Sequence, residues 1–300
     1  MDNGSFITTL TWLPDWSKPR TTALIRDCTL FYGFEADVLY NPPSILRVGG
    51  IPSTLITKCA TTFSPNASDL QIKHFLFSAW GLLGERIEDL KKTTYNSGCS
   101  LLEAFCCSVA CFSFTEYDPL RINVSFLESA TEELLFILRS PVDEVPTSPR
   151  SRFLCRVFQM ALGRTFLLTH NGYIGLGPSS AKHGDTVCTL LGCRSLMVLR
   201  PKAGGQFQVV GECYLHGLDP STTCLGPYPA TFQVVHQYDS SRDRYWVRHK
   251  NKATGFLSWV DPRLRSLGLY KEEAEPNRHP PIASRALKDI GVDIRYFDLA

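Results

Sequence analysis

Cys213 and His216 stand three residues apart, with Tyr214 beside them. A thiol, an imidazole and a third group to orient the ring are the minimum set for nucleophilic catalysis at neutral pH. The same two residues, with Cys188, Cys193 and Cys224, also offer donor types suited to a tetrahedral zinc ion. The spacing argues against both uses. Structural zinc ligands come as two close pairs, and here only Cys213-x-x-His216 is close. Cys213 also alternates with Phe207, Val209 and Leu215, opposite Gln206, Gln208 and Glu212, which is the pattern of an inward-facing strand residue. With 7 histidines and 11 cysteines, chance pairs are easy to draw. The expectation is no catalytic residue, no metal ligand and no cofactor. An enzyme with a Cys/His site near Cys213 and His216 is the alternative.

Other chemistry-bearing stretches read in the same way. Gly172-Tyr173-Ile174-Gly175-Leu176-Gly177-Pro178 has the glycines of a phosphate cradle, but a cradle needs a helix N-terminus after it. Strands are expected on both sides here, so the glycines shape a hairpin and a sheet bend. Asp185 reads as a turn carboxylate, and Cys106, Cys107 and Cys111 as helix-packing thiols. The run from Arg242 to Lys252 interleaves Tyr245 and Trp246 with positive charge, a pattern able to stack nucleic-acid bases. A solvated hairpin face is the plainer expectation, so a nucleic-acid-binding small barrel stands as a further alternative.

The elements that must position these residues show in the periodicity. Tyr32, Phe34, Ala36, Val38 and Tyr40 alternate with Glu35 and Asp37, predicting a strand that breaks at Asn41-Pro42-Pro43. A second strand begins at Ile45, passes Gly49-Gly50 and resumes near Leu55. Over 69–92 the apolar residues recur at three and four, predicting a helix opened by Ser68 and Gln71. Ser100 and Glu103 open a second helix, to Cys111, and two more are expected at 124–138 and 151–162. The prolines of Arg139 to Arg150 mark a hinge or surface loop between those two. Beyond Arg164, short strands punctuated by Asn171-Gly172, Gly184 and Gly204-Gly205 predict a curled antiparallel sheet. A hairpin joins Thr231–Tyr238 to Tyr245–His249, an exposed stretch covers Lys271 to Pro281, and a closing segment covers Ile290 to Leu299. The expected fold is α+β: amphipathic helices packed with an N-terminal strand pair and a small antiparallel β-barrel-like sheet. The domain division is 1–150, strand pair plus helices, and 151–300, a β-rich module.

Composition narrows the partners. Against 31 basic residues stand 29 acidic ones, a net charge of +2, which gives no general attraction to nucleic acid or anionic lipid. No apolar run reaches the length of about 18–20 residues that spans a bilayer, and the first residues lack the pattern of a secretory signal. The cysteines therefore read as reduced thiols in the cytoplasm, with the nucleus as the alternative.

The block Gly163-Arg164-Thr165-Phe166-Leu167-Leu168-Thr169-His170-Asn171-Gly172-Tyr173-Ile174-Gly175-Leu176-Gly177-Pro178 resembles one typical of fungal heterokaryon-incompatibility proteins. It continues in the family's order through Lys182-His183-Gly184-Asp185, Leu190-Leu191-Gly192, Val198-Leu199-Arg200-Pro201 and Val210 to Gly217. Trp12-Leu13-Pro14-Asp15-Trp16-Ser17, Asp261-Pro262-Arg263-Leu264 and Gly291 to Leu299 resemble flanking segments of the same family. The chain departs from the family at Leu218-Asp219-Pro220-Ser221-Thr222-Thr223-Cys224, where relatives carry a Gly-Glu turn. In relatives an effector domain precedes the Trp-Pro-Asp-Trp region, and only eleven residues precede Trp12 here. The resemblance thus implies a non-catalytic recognition or regulatory protein of the self/non-self type, or an effector-less remnant of one. Its expected partner is another protein, with a full-length relative as the first candidate and the Leu218–Tyr228 loop as the contact region.

Overall fold

The N-terminal hairpin pairs β1 (Val38–Asn41) with the start of an unusually long strand, β2 (Ile45–Cys59). The structure is a computed structural model and describes residues 22, 25, 33–41, 45–64, 68–111, 126–143, 151–239, 244–270 and 281–300. Residues 31 and 32, the Trp12–Ser17 segment, most of the Arg139–Arg150 loop, the 240–243 turn and 271–280 lie outside the described residues. The alternation around Phe34 does not yield one strand. Phe34 makes an isolated bridge to Ile282, and β1 starts only at Val38, with both Val38 and Leu39 exposed.

Four helices follow: α1 (Asp69–Leu83), α2 (Leu101–Val109), α3 (Phe126–Arg139) and α4 (Arg152–Ala161). The expected starts are in place. Gln71 Oε1 accepts from the Ser68 amide at 2.7 Å, and Ser100 and Glu103 cap α2 reciprocally. The first helix is shorter than its apolar stripe. Gly84 takes φ +69° and ends it, and Ile87 and Leu90 continue into the core from turns. An apolar stripe reports which residues are buried, not whether the backbone between them stays helical.

Five strands then run β3 (Arg164–Thr169), β4 (Ile174–Pro178), β5 (Thr186–Leu190), β6 (Leu196–Pro201) and β7 (Gln206–Leu215). A short helix, α5 (Pro220–Leu225), precedes the hairpin of β8 (Phe232–Asp239) and β9 (Arg244–Asn251), to which β10 (Leu257–Ser258) adds. The chain closes with α6 (Pro262–Ser266), α7 (Ser284–Asp289) and β11 (Arg295–Leu299).

The main sheet closes on itself. Hydrogen-bonded neighbours run β2-β3-β4-β7-β6-β5 and return to β2. A second circuit shares β2, β5, β6 and β7 and closes through β11, which pairs antiparallel with β2 and parallel with β7. The shared wall is apolar on both faces. Val187, Leu196 and Val198 join Ile56, Leu167, Cys213 and Leu215 in one core. Cys188, Leu190 and Leu199 join Val48, Phe297 and Leu299 in the other.

Two features of β2 allow this. Its three stretches serve different neighbours: Leu46–Gly50 pairs with β11, Gly50–Leu55 with β5 and Ile56–Cys59 with β3. The bend falls at Pro52, which has no N–H to donate and lies beside the register shift between Pro52 and Thr54. β7 carries a comparable shift. Val198 faces Gly211 but Leu199 faces Val209, leaving Val210 as an extra residue. Phe207 and Val209 therefore pack with the second core, while Cys213 and Leu215 pack with the first, so the single face expected of these four does not exist.

The α+β architecture and the antiparallel 164–217 sheet are as the sequence implies. β2 supplies the strand that closes both circuits, and β1 adds to it outside them. The helices α1 to α4 cover the outer face of β3 and β4, where Phe166, Ile174 and Leu176 join Phe75, Phe105, Leu134 and Phe153 in the largest apolar core.

Candidate functional site

Where β7 meets the helical layer, strand alternation sets the chemistry. Cys213 and Leu215 point into the barrel, and Tyr214 packs on the opposite side against the helical core. His216 follows just past the strand, and its amide donates to Ile174 O at 2.9 Å. Cys213 and His216, an odd number of residues apart, thus fall on opposite sides. Cys213 is only 1 % exposed, and burial pushes its thiol far above the usual range. The pair considered from the sequence does not assemble.

A different cysteine reaches the histidine. Between α1 and α2 the chain forms a tight loop, with Thr94 bridging Ser100, the Tyr95 amide donating to Cys99 O, and Gly98 at φ +86°. The capped start of α2 fixes the loop's far end. The loop docks on two barrel turns. Tyr95 Oη donates to His216 O and accepts from the Ile174 amide, both at 3.0 Å, and Asn96 Nδ2 donates to Asn171 O at 2.8 Å. A Cβ at Gly217 would lie 3.0 Å from Ser97 Cβ, so glycine sets how closely the turn approaches.

This docking places Cys99 Sγ 3.7 Å from His216 Nε2, while His216 Nδ1 lies 3.0 Å from Tyr214 Oη. Ser97 Oγ is 3.2 Å from the sulfur, and the Tyr95 ring sits 5.7 Å from the imidazole, centroid to centroid. Burial holds His216 down at about 4, against the upward pull of the Glu103 carboxylate, so the imidazole is neutral at physiological pH. Burial also raises the half-buried Cys99 thiol, and the contact with Ser97 partly offsets this. The result is a neutral contact chain of thiol, imidazole and phenol, in which burial disfavours both the thiolate and the imidazolium. The amides that open α2 are already engaged. Leu101 N donates to Thr93 O, Leu102 N to Leu90 O, Glu103 N to Ser100 Oγ and Ser100 N to Glu103 Oε2. The start of α2 therefore offers no amide to a developing oxyanion.

The other residues considered from sequence are dispersed. Cys188, Cys193, Cys213 and Cys224 belong to three different cores, and no group of three or more metal-ligating side chains occurs among the described residues. Gly175 and Gly177 lie within β4, followed by no helix. A Cβ at Gly175 would meet Tyr214 O at 1.8 Å, and one at Gly177 would meet Leu167 Cδ1 at 2.4 Å. Those glycines let β4 approach its neighbours, which explains the glycine-rich run without a phosphate. Asp185 is buried and accepts from Arg200 Nε and Nη2 at 2.8 Å each and from the Lys182 amide at 2.9 Å. In the basic run, His249 is wholly buried with Nδ1 2.8 Å from Tyr228 Oη, and Arg248 stacks 3.8 Å over Trp259. These two are committed to packing rather than to a nucleic-acid face.

The Leu218–Tyr228 segment is mostly helix rather than loop. Asp219 caps α5, Pro220 is its first residue, and Pro220, Ser221 and Cys224 are buried. Behind it Arg263 binds Asp261 in two-pronged fashion and donates to Gly226 O at 2.8 Å and Ser221 Oγ at 3.1 Å. Asp-Pro at 219–220 and at 261–262, a cap followed by proline in the first turn, was the sequence signal for α5 and α6.

No helix among the described residues is long and apolar enough to cross a membrane. No curated protein and no solved structure matches the chain. Residues 147–223, which supply α4, β3 to β7 and most of α5, match the family model of the Het-6 beta-barrel domain, a domain of fungal heterokaryon-incompatibility proteins, in agreement with the resemblance of the sequence.

Proposed function

We propose that this protein is a non-catalytic recognition module of the incompatibility type, working by binding another protein, with a relative that carries an effector domain as the first candidate. One observation carries the reading. The crest after α5, from Gly226 to Thr231, exposes Pro227, Ala230 and Thr231 on a backbone pinned from behind by the buried Arg263. Pro227 and Pro229 restrict the same backbone, so little conformational freedom remains to be lost on binding. The contact region expected at Leu218–Tyr228 moves a few residues on, because Pro220–Cys224 packs inward.

Pull-downs from fungal extract with the intact protein, and with Pro227–Thr231 replaced by Gly and Ser, test this. A partner set captured by the intact protein and lost with the replacement is the expected result; identical sets would remove the crest from consideration. Expressed alone in a fungal host, the chain is expected to leave cells viable. Death abolished by Cys99→Ser and His216→Gln would replace the non-catalytic reading with an enzymatic one.

A further inference from the structure

We propose that the β8–β10 sheet, with the Gly226–Thr231 crest beside it, is an acid-sensitive flap: neutral His249 fastens the sheet to Tyr228 of the crest, and the protonated ring releases both. The sheet is lightly anchored. Its strands pair only with one another among the described residues, and none of its described residues joins an apolar core of the rest of the molecule. Among the described side chains of the sheet, His249 alone is fully buried. Its Nδ1 lies 2.8 Å from Tyr228 Oη, and the two rings stack with centroids 5.8 Å apart. The crest is thus held at two points, Gly226 by Arg263 and Tyr228 by His249. Because the crest is the contact surface proposed above, opening would also switch partner binding, and that consequence rests on the proposed function.

Charge at the junction sets the response. Tyr228 faces the imidazole from the crest. The Asp261 carboxylate and the Arg263 guanidinium act on it from the start of α6, while its cross-strand neighbours Val234 and Ser258 carry no charge. Asp261 is already committed to Arg263, whose guanidinium also lies 5.3 Å over the Tyr228 ring. A proton on His249 would therefore set a second cation beside Arg263 in a place that excludes water, and burial holds the ring below its ordinary range. The Tyr228 hydroxyl can turn from donor to acceptor, so desolvation rather than a lost hydrogen bond opposes the charge. The closed flap binds fewer protons than the open one. Closure is fully favoured above about pH 6.5 and weakens as pH falls, about tenfold per pH unit while the closed ring stays neutral.

Native-state hydrogen exchange of the full chain, without a partner, reads the opening when compared at about pH 7.5 and about pH 5 and corrected for the intrinsic rate at each. Amides of β8 and β9 are expected to be less protected than those of β3 and β4 at both values, since they open without the barrel. Their protection should fall by up to about thirtyfold at the lower pH. His249→Gln, neutral throughout and still able to bond Tyr228, should flatten that response at β8 and β9 and leave one at β3 and β4, where His216 acts. Tyr228→Phe should lower protection of β8 and β9 at both pH values without changing the response. If His249→Gln does not fold, shown by lost protection at β3 and β4, the parent profile decides alone. Three results overturn the flap: protection at β8 and β9 that changes less than about threefold, that equals that of β3 and β4 at both pH values, or that keeps its acid response in His249→Gln. No partner takes part in the exchange, so an empty pull-down counts against the contact surface and not against the flap.

Discussion

Gly175→Ala should be among the most damaging single-methyl additions this barrel can receive. The shortest seam of the first circuit is that of β4 with β7, joined in register only at Gly175↔Leu215 and Leu176↔Tyr214. An added Cβ would stand 1.8 Å from Tyr214 O, 2.7 Å from its carbonyl carbon and 2.9 Å from Leu215 Cα. All three are backbone atoms, so no rotamer change relieves the clash and the strands must separate. Overpacking of this kind costs about 1–3 kcal/mol. Separation also weakens the neighbouring backbone hydrogen bonds, at about 0.5–1.5 kcal/mol each. The total, about 3–5 kcal/mol, is a large part of the 5–15 kcal/mol typical of a folded domain. Gly81→Ala is the control: its Cβ meets nothing within 4 Å on an exposed face of α1, and helix propensity predicts a gain of about 0.5–1 kcal/mol. Urea unfolding of the two variants beside the parent measures both. A Gly175→Ala protein within about 1 kcal/mol of the parent would mean that the β4–β7 seam does not close the barrel as described.

The His216 ring is neutral when folded and ordinary when unfolded, so the native state binds fewer protons. The associated stability is fully present above about pH 6.5 and is lost as pH falls toward about 4; His216 should supply roughly 2–3 kcal/mol of the difference between pH 7 and 4.5, the share that His216→Gln removes, while buried His249 adds its own loss in the same direction. Arg263→Ala strands the Asp261 carboxylate in the interior and should cost about 3–5 kcal/mol in the same assay; a loss under 1 kcal/mol would refute the buried pair. Ser100→Ala removes the side-chain cap of α2 and is expected to cost about 1 kcal/mol, read by chemical denaturation. The Asp298 carboxyl is held below its usual range by hydrogen bonds from Arg47. Its contribution is therefore complete above the ordinary carboxylate pKa and fades as pH drops further, and Asp298→Asn should flatten that acid limb.

Sequence by itself determined the local elements, because their causes are local. The Ser68–Gln71 and Ser100–Glu103 pairs satisfy amides three residues away, and the alternating residues beyond Arg164 needed only a two-residue period. The odd separation of Cys213 and His216 likewise sets them on opposite sides of an extended backbone. Closure was decided elsewhere. β2 reaches β3 and β5 from more than a hundred residues upstream, and the bulge at Val210 reassigns Phe207 and Val209 to another core. Neither follows from periodicity, because register between distant strands depends on which partners the chain brings together. The thiol beside His216 lies 117 residues away, on a loop whose own spacing says nothing about histidine. Only packing the helical layer against β4 and β7 brings Cys99 to that ring, through Tyr95 bridging the Ile174 amide and the His216 carbonyl.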